Sequence, residues 1–477
     1  MPWPAFAPLA CALLALADPP AEPPAAPGDV VAALETALAD AIAKAQPAVV
    51  AISRLKAEGG ETTAIRGRVP EPAVPPGAVI LGNIDPLGQD FLSFDYGSGV
   101  VIGDRGEILT AYHVVAGASR LIVRAWRRQV FEAEIIAADP RSDLAVIAPR
   151  AAANPAEPDL APVALGDATN LRAGAFLVAL GNPFNAARDG KASASWGILS
   201  NTARRLELPL TGTLAPPARR LYHHPTLLQL DAKLNLGMSG GAVINLRGEL
   251  VGLTTASADA EGFDARAGYA IPIDVLGRHI IDALRQGKEV EYGFLGISID
   301  GAVSNRVQIV QPGTPAAEQG LLAGDLIVRV GTTPIADDES LTLVLSACPP
   351  GRPIPLGIQR DGQVLKKTVT LAKYPVEGPI IATNRPAPWR GLRVDYTSLL
   401  VGSPVDEATL AALARGGVGV IEVLPGSPGD QAGLRRGHII TAVADRPVRT
   451  PEEFTRAIAG RRGAVTLSTQ FGPITVK

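Results

Sequence analysis

Cysteine is nearly absent from this chain of 477 residues, where only Cys11 and Cys348 occur. That excludes a disulfide scaffold and argues against any cysteine-based metal site. Histidine is scarce as well: there are five, and only His223 and His224 are neighbours. The pair lies in a basic, proline-rich segment without Cys, Asp or Glu at ligand spacing. It reads as a surface loop, and no metal or other cofactor is expected. Neither sign of charge dominates. The formal net charge is −3, so nothing global favours nucleic acid or an anionic membrane. Function has to come from local sites.

Membrane-spanning runs are lacking too. The apolar stretch from Ala5 to Ala17 is too short to cross a bilayer comfortably, and it ends in Ala15-Leu16-Ala17. Small residues there are what a signal peptidase reads, so residues 1–17 are expected to be an export signal. No Lys or Arg precedes the run, which fits a truncated start, and the residues before Cys11 do not suit a lipidation site. The expectation is an exported protein with no integral membrane segment.

What is present suits folded domains, with 47% hydrophobic and 19% charged residues. A chain of this length exceeds a single core, so two to four domains are expected. A Pro/Ala linker is followed by Val31, Leu34, Leu38 and Ile42 at helical spacing, within a helix from about Asp29 to Lys44. Pro47 ends it, and Ala48–Ile52 reads as a strand. From Ala57 to Asp95 the composition is Gly- and Pro-rich, as in a loop or insertion. Short β-branched runs between Gly, Asn and Asp turns then continue from Tyr96 to about Pro272, the pattern of an all-β sandwich or barrel. A helix from about Ile273 to Gln286 closes this unit. Beyond it lies an internal repeat: Pro312-Gly313-Thr314-Pro315 precedes Gly320–Ile327, and Pro425-Gly426-Ser427-Pro428 precedes Gly433–Ile440 with the same spacing.

Three short segments of the β-rich unit carry chemistry. His113 lies in a Thr-Ala-Tyr-His turn beside a predicted strand, Asp143 sits between Ser142 and the apolar run Leu144–Ile147, and Ser239 lies in Gly237-Met238-Ser239-Gly240-Gly241. A serine hydroxyl is a poor nucleophile at neutral pH; it needs a base, and the base needs an orienting carboxylate. Glycines around Ser239 let the backbone aim N–H groups, those of Gly237 and Ser239, at a developing oxyanion. Taken singly, His113 also fits a buried hydrogen-bonded histidine, Asp143 a turn residue, and the glycine loop a plain turn. Their occurrence in this order within one unit favours catalysis.

With those segments in place the chain resembles the HtrA/DegP family of exported trypsin-like serine proteases with C-terminal PDZ domains. The likeness covers nearly everything after residue 45. It extends to Tyr96–Val101, Leu165-Gly166-Asp167, Ala179–Phe184, Gln229–Ala232 and Gly268–Pro272. It implies a mainly β fold: a trypsin-like double six-stranded β-barrel followed by two PDZ domains (α+β, partly open barrels). The corresponding division is an export signal at 1–17, linker and N-terminal helix at 18–45, and protease domain at 46–286. PDZ domains at 289–374 and 386–477 follow, with a linker at 375–385. By position His113 would be general base, Asp143 its orienting partner, Ser239 the nucleophile, and Gly237, Met238 and Ser239 the oxyanion loop. The implied reaction is ATP- and metal-independent hydrolysis of misfolded or damaged proteins in the periplasm or cell envelope. A trimer or a multiple of it is implied as well.

The sequence departs from the family pattern at a few points. Met238 stands where Asn is usual, which leaves a catalytically weak or inactive PDZ scaffold or holdase as the alternative. Lys233, six residues before Ser239, would lie near the primary specificity pocket, pointing inward to favour acidic residues or outward into solvent. An esterase would use the same triad, but the strand-to-helix setting that such an enzyme's serine elbow needs has no support in this sequence. In the first repeat Phe294-Leu295-Gly296-Ile297 matches the loop and strand that receive a peptide's C-terminal carboxylate. The second has Trp389-Arg390-Gly391-Leu392, with Arg390 in place of the apolar residue. Either repeat could instead serve assembly alone.

Overall fold

The computed structural model describes residues 27–55, 87, 95–151, 158–182, 189–204, 226–255, 268–300, 304–375, 379–400 and 416–477. The expected export signal, nearly all of the Gly/Pro-rich stretch up to residue 94, Pro183-Phe184 and His223-His224 lie outside the described residues. Among the described residues no helix is long and apolar enough to cross a membrane.

Helix α1 spans Pro27–Ala45. Its contact face differs at the start from the predicted stripe: Val31 is exposed, whereas Ala41 and Ala45 are buried with Leu38 and Ile42 packed beside them. Only the second half of the helix reaches the core, and Lys44 fastens its end by donating to the Arg247 carbonyl at 2.8 Å.

Six strands form the first barrel: β1 (Val49–Leu55), β2 (Tyr96–Val101), β3 (Ile108–Ala111), β4 (Arg120–Ala125), β5 (Gln129–Asp139) and β6 (Leu144–Pro149). They pair in the order β5-β4-β1-β2-β3-β6, and β5 closes onto β6. The second barrel is also closed, from β7 (Phe176–Gly181), β8 (Ser193–Arg204), β9 (Leu227–Leu230), β10 (Ala242–Ile244), β11 (Leu250–Thr255) and β12 (Gly268–Pro272). Strand alternation sets the packing, since neighbouring side chains point to opposite faces. Leu177 and Val243 join one cluster with Leu199, Leu228 and Val251. Their neighbours Val178, Ala242 and Ile244 belong to a larger core shared with the first barrel. Burying each such aliphatic side chain contributes about 1.5–3 kcal/mol. The two barrels are thus joined by a continuous core.

Helix α2 is the single turn Tyr112–Val115, and α3 spans Val275–Arg285. Asp274 caps α3 by accepting from the Gly277 N–H at 2.8 Å, and Leu276, Ile280, Ile281 and Leu284 turn into the shared core.

Both repeats are small β-rich units with their own cores, around Val307, Leu321, Ile327 and Leu356 in the first and Val418, Leu434, Ile440 and Leu467 in the second. The segment between them was expected as a linker, but part of it is bound. Ile381–Ala382 pair antiparallel with Ala137 and Ala138 of β5, extending the first barrel's sheet. At the same junction Lys373 is 1% exposed, with its ammonium 2.7 Å from Asp395, 2.8 Å from Glu289 and 3.3 Å from Glu291. Burial pulls its pKa down, yet the three carboxylates outweigh that and hold it above the usual lysine range.

Candidate active site

The chain leaves β3 directly into α2, which puts His113 in the first turn after a fully buried strand. Asp143 meets it from the start of β6. One carboxylate oxygen accepts the His113 backbone N–H at 2.9 Å, and the other lies 2.7 Å from Nδ1. The Asp143 carbonyl accepts from the Tyr112 N–H at 2.8 Å, so backbone and side chain hold the same turn. Asp143 adopts a left-handed backbone, φ 56°, a conformation that costs a non-glycine residue about 1–3 kcal/mol. Thr255 Oγ1 donates to its carboxylate at 3.0 Å. With a proton on Nδ1 facing the carboxylate, Nε2 keeps its lone pair. Burial lowers the imidazole pKa, but the charge and hydrogen bond of Asp143 more than offset this, so it lies above the ordinary histidine value.

The serine loop is docked on the first barrel. The Ser98 N–H donates to the Ser239 carbonyl at 2.8 Å, and Ser98 Oγ donates to the Gly237 carbonyl at 2.8 Å. The Gly240 N–H donates to the Thr254 carbonyl at 2.7 Å, and Thr254 Oγ1 reaches the Met238 carbonyl. Two glycines are required by space as well as by conformation. A Cβ on Gly237 (φ 91°) would sit 2.5 Å from the Tyr96 ring. One on Gly240 (φ 82°) would sit 2.2 Å from the Ser98 carbonyl oxygen and 3.0 Å from the Ala111 nitrogen, two residues before His113. The three predicted segments therefore converge. Ser239 Oγ makes no hydrogen bond to the His113 ring or to any other described residue.

The N–H groups of Gly237 and Ser239 donate to no described residue, which leaves them open to an incoming oxygen. Met238 does not share that property. Its N–H donates to the Asn235 carbonyl at 3.0 Å, and its side chain is buried, 2% exposed, with Sδ accepting from the Asn235 N–H. The methionine packs under the loop instead of lining it. Lys233 is exposed, as a solvated lysine is.

In the first repeat Phe294 ends a short strand, Leu295 is buried in the repeat's core, Gly296 turns at φ 84°, and Ile297 begins the next strand. The Leu295 and Gly296 carbonyls accept from the Ala316 and Gln311 N–H groups, each at 2.9 Å. Their own N–H groups donate to no described residue.

Sequence reasoning missed three residues that act on this site. Ser98 belongs to a Gly-Ser-Gly strand whose pattern was visible but whose partner was not. Thr255 and Arg54 carry no local signal at all, because their partners lie 112 and 59 residues away.

The chain is similar to known proteins over both the barrels and the repeats. The trypsin-like peptidase domain family matches residues 97–253, and PDZ domain families match 293–371 and 419–468. A probable periplasmic serine endoprotease DegP-like of Pseudomonas fulva is 32% identical over 373 residues, covering 75% of this chain and 72% of the relative. The periplasmic pH-dependent serine endoprotease DegQ of Escherichia coli K12 is 30% identical over 385 residues, covering 78% and 77%. Periplasmic serine endoprotease DegP of the same strain is 28% identical over 409 residues, covering 83% and 78%. Among solved structures, the HtrA-type protease AlgW with a tripeptide superposes with a TM-score of 0.51 at 25% identity, over 71% of this chain and 98% of that one.

Proposed function

This chain belongs to the HtrA/DegP family of trypsin-like serine endoproteases with PDZ domains, and from that premise we propose that it cuts unfolded or damaged proteins through His113, Asp143 and Ser239. The observation that carries the assignment is the two-point hold of Asp143 on His113, one oxygen on the backbone N–H and one at Nδ1. That hold fixes both the tautomer and the direction of Nε2. Ser239 Oγ attacks the scissile carbonyl carbon while Nε2 takes its proton, and Asp143 stabilises the imidazolium. The carbonyl oxygen, now negative, is received by the Gly237 and Ser239 N–H groups; each such donor is worth roughly 2.7–4 kcal/mol in the transition state. Collapse breaks the C–N bond, and the imidazolium gives its proton to the leaving amine. Water, activated by the same histidine, then releases the acyl group from Ser239.

The first repeat is assigned to hold a substrate's C-terminus, with the Leu295 and Gly296 N–H groups on the carboxylate and the peptide adding beside Ile297. The relatives are named as periplasmic enzymes, and we place this chain in the same compartment. The inward packing of Met238 supports reading the loop as catalytically competent.

Ser239→Ala is expected to lower casein cleavage by a factor of about 10⁴–10⁶ without changing the circular dichroism spectrum. A fluorophosphonate probe should label the wild type at Ser239. Equal degradation by both proteins would overturn the assignment. Because His113 must be neutral to act and its pKa is raised, kcat/KM should fall with acidification along a limb centred above pH 6.5.

A further inference from the structure

His113 is gripped from a second side, by a residue that belongs to neither the triad nor the serine loop. Arg54 lies near the end of β1, with its side chain mostly buried. Its Nη1 donates to the His113 carbonyl at 3.0 Å and to the Ala116 carbonyl at 2.8 Å. These carbonyls lie in and just after α2, a single turn whose last carbonyls have no helical partners and need donors from elsewhere. Asp95, 3.3 Å from Nη2, holds the guanidinium in place, and the Arg54 N–H itself donates to the Asp95 carbonyl at 2.9 Å. His113 thus has its N–H and ring fixed by Asp143 and its carbonyl fixed by Arg54.

We propose that Arg54 is a positioning residue of the reaction, fixing the turn that aims His113 and placing a permanent cation beside the imidazole. The inference rests on His113 being the general base. A lysine could not substitute fully, because one rigid planar group bridges two carbonyls and a carboxylate at once. The cation also opposes protonation of His113, against the stronger pull of Asp143. The charged groups that act on the imidazole are Asp143 and Arg54, with Asp95 paired to Arg54 and the Tyr112 phenol acted on by Asp143. The Tyr112 phenol is raised by burial first and by Asp143 second, so it stays neutral over the working range.

The test uses the full chain, with Arg54→Met, Arg54→Lys and Arg54→Gln. Arg54→Met should lower kcat about tenfold with KM nearly unchanged, as expected for a misaimed base. It should also move the acid limb of kcat/KM upward by about half a pH unit, because a nearby cation is gone. Arg54→Lys should restore the limb but not kcat, and Arg54→Gln should shift the limb with a smaller loss in kcat. In a Ser239→Ala background, an NMR titration of the His113 ring should show the same upward shift. That readout needs no turnover, so it separates failure of this inference from failure of the protease assignment. An unmoved His113 pKa in Arg54→Met and Arg54→Gln overturns the role of the cation. A wild-type kcat in Arg54→Met overturns the positioning role.

Discussion

In the first repeat the Leu295 and Gly296 carbonyls accept from Ala316 and Gln311; in the second the Arg390 and Gly391 carbonyls accept from Gly429 and Leu424, at 3.0 and 2.8 Å. The glycines turn at φ 84° and 82°, each against the side chain of a polar residue, Thr314 or Ser427. The glycine and the carbonyl acceptors of the turn are therefore alike in both. What differs is the residue before the glycine, in backbone as well as side chain. Leu295 fills its repeat's core, whereas Arg390 takes a left-handed backbone (φ 50°), stacks 4.6 Å from the Trp389 ring and donates to the Val476 and Gly463 carbonyls. A loop defined by backbone hydrogen bonds tolerates an apolar or a charged residue, provided each finds its own environment.

The attachment of the repeats offers the strongest way to break the comparison. Lys373, at the end of the first, neutralises Asp395 of the second together with Glu289 and Glu291. Lys373→Met would leave three carboxylates crowded without their cation. The expected loss is about 3–5 kcal/mol of unfolding stability, the usual result of removing one partner from a buried pair. The sign of its pH dependence follows from the pKa values. The lysine's folded value is raised, so its contribution is complete below its unfolded value and fades only at strongly alkaline pH. Burial already raises the Glu291 carboxyl. In the variant that rise should grow, so the deficit should shrink as pH falls and Glu291 takes up a proton. Urea unfolding across pH 5–8 measures it; a deficit that is constant over this range would show that the cluster is not what joins the repeats.

A next, smaller effect tests the shared turn. Gly296→Ala and Gly391→Ala each force a side chain into left-handed backbone, with Cβ 2.2 Å from Thr314 Cβ and 2.1 Å from Ser427 Cβ. Each should cost at least about 1–3 kcal/mol, and the two costs should match within experimental error. Thermal unfolding of the full chain reads both, and a second repeat that accepts alanine freely would show that its turn is not the equal of the first.

How much of this was visible in the sequence depends on the range of the interaction. The order His113, Asp143, Ser239, the helices near 29–44 and 273–286 and the repeat itself all rest on local patterns, and the helices are found close to where the patterns put them. Val31 failed because helical spacing defines a face but not what the face meets. The type of Met238 says nothing of its N–H, which is spent three residues back. The pairing of Ile381–Ala382 with β5 was hidden in a Pro-rich stretch that reads as linker, since strand addition there depends on an edge supplied 243 residues earlier. Arg54 is the sharpest instance: the one charged residue of its strand, whose carbonyl partners His113 and Ala116 lie 59 and 62 residues further on.

The smallest expected effect concerns Arg390 itself. Arg390→Leu would place in the second repeat the side chain that the first repeat uses. Its guanidinium hydrogen bonds are partly exposed, so their loss should cost only about 1 kcal/mol. The Arg390 and Gly391 N–H groups, which donate to no described residue, would remain where they are. If a C-terminal carboxylate is received by that backbone, the affinity for a C-terminal peptide should change by less than about threefold, well under the tenfold that 1.4 kcal/mol represents. Calorimetric titration of the peptide into the full chain, with the Gly296→Ala variant used to silence the first repeat, isolates the second. A loss of tenfold or more on removing Arg390 would mean that the second repeat holds the carboxylate with its guanidinium, and that the two turns recognise peptides by different chemistry despite their shared glycine and carbonyl acceptors.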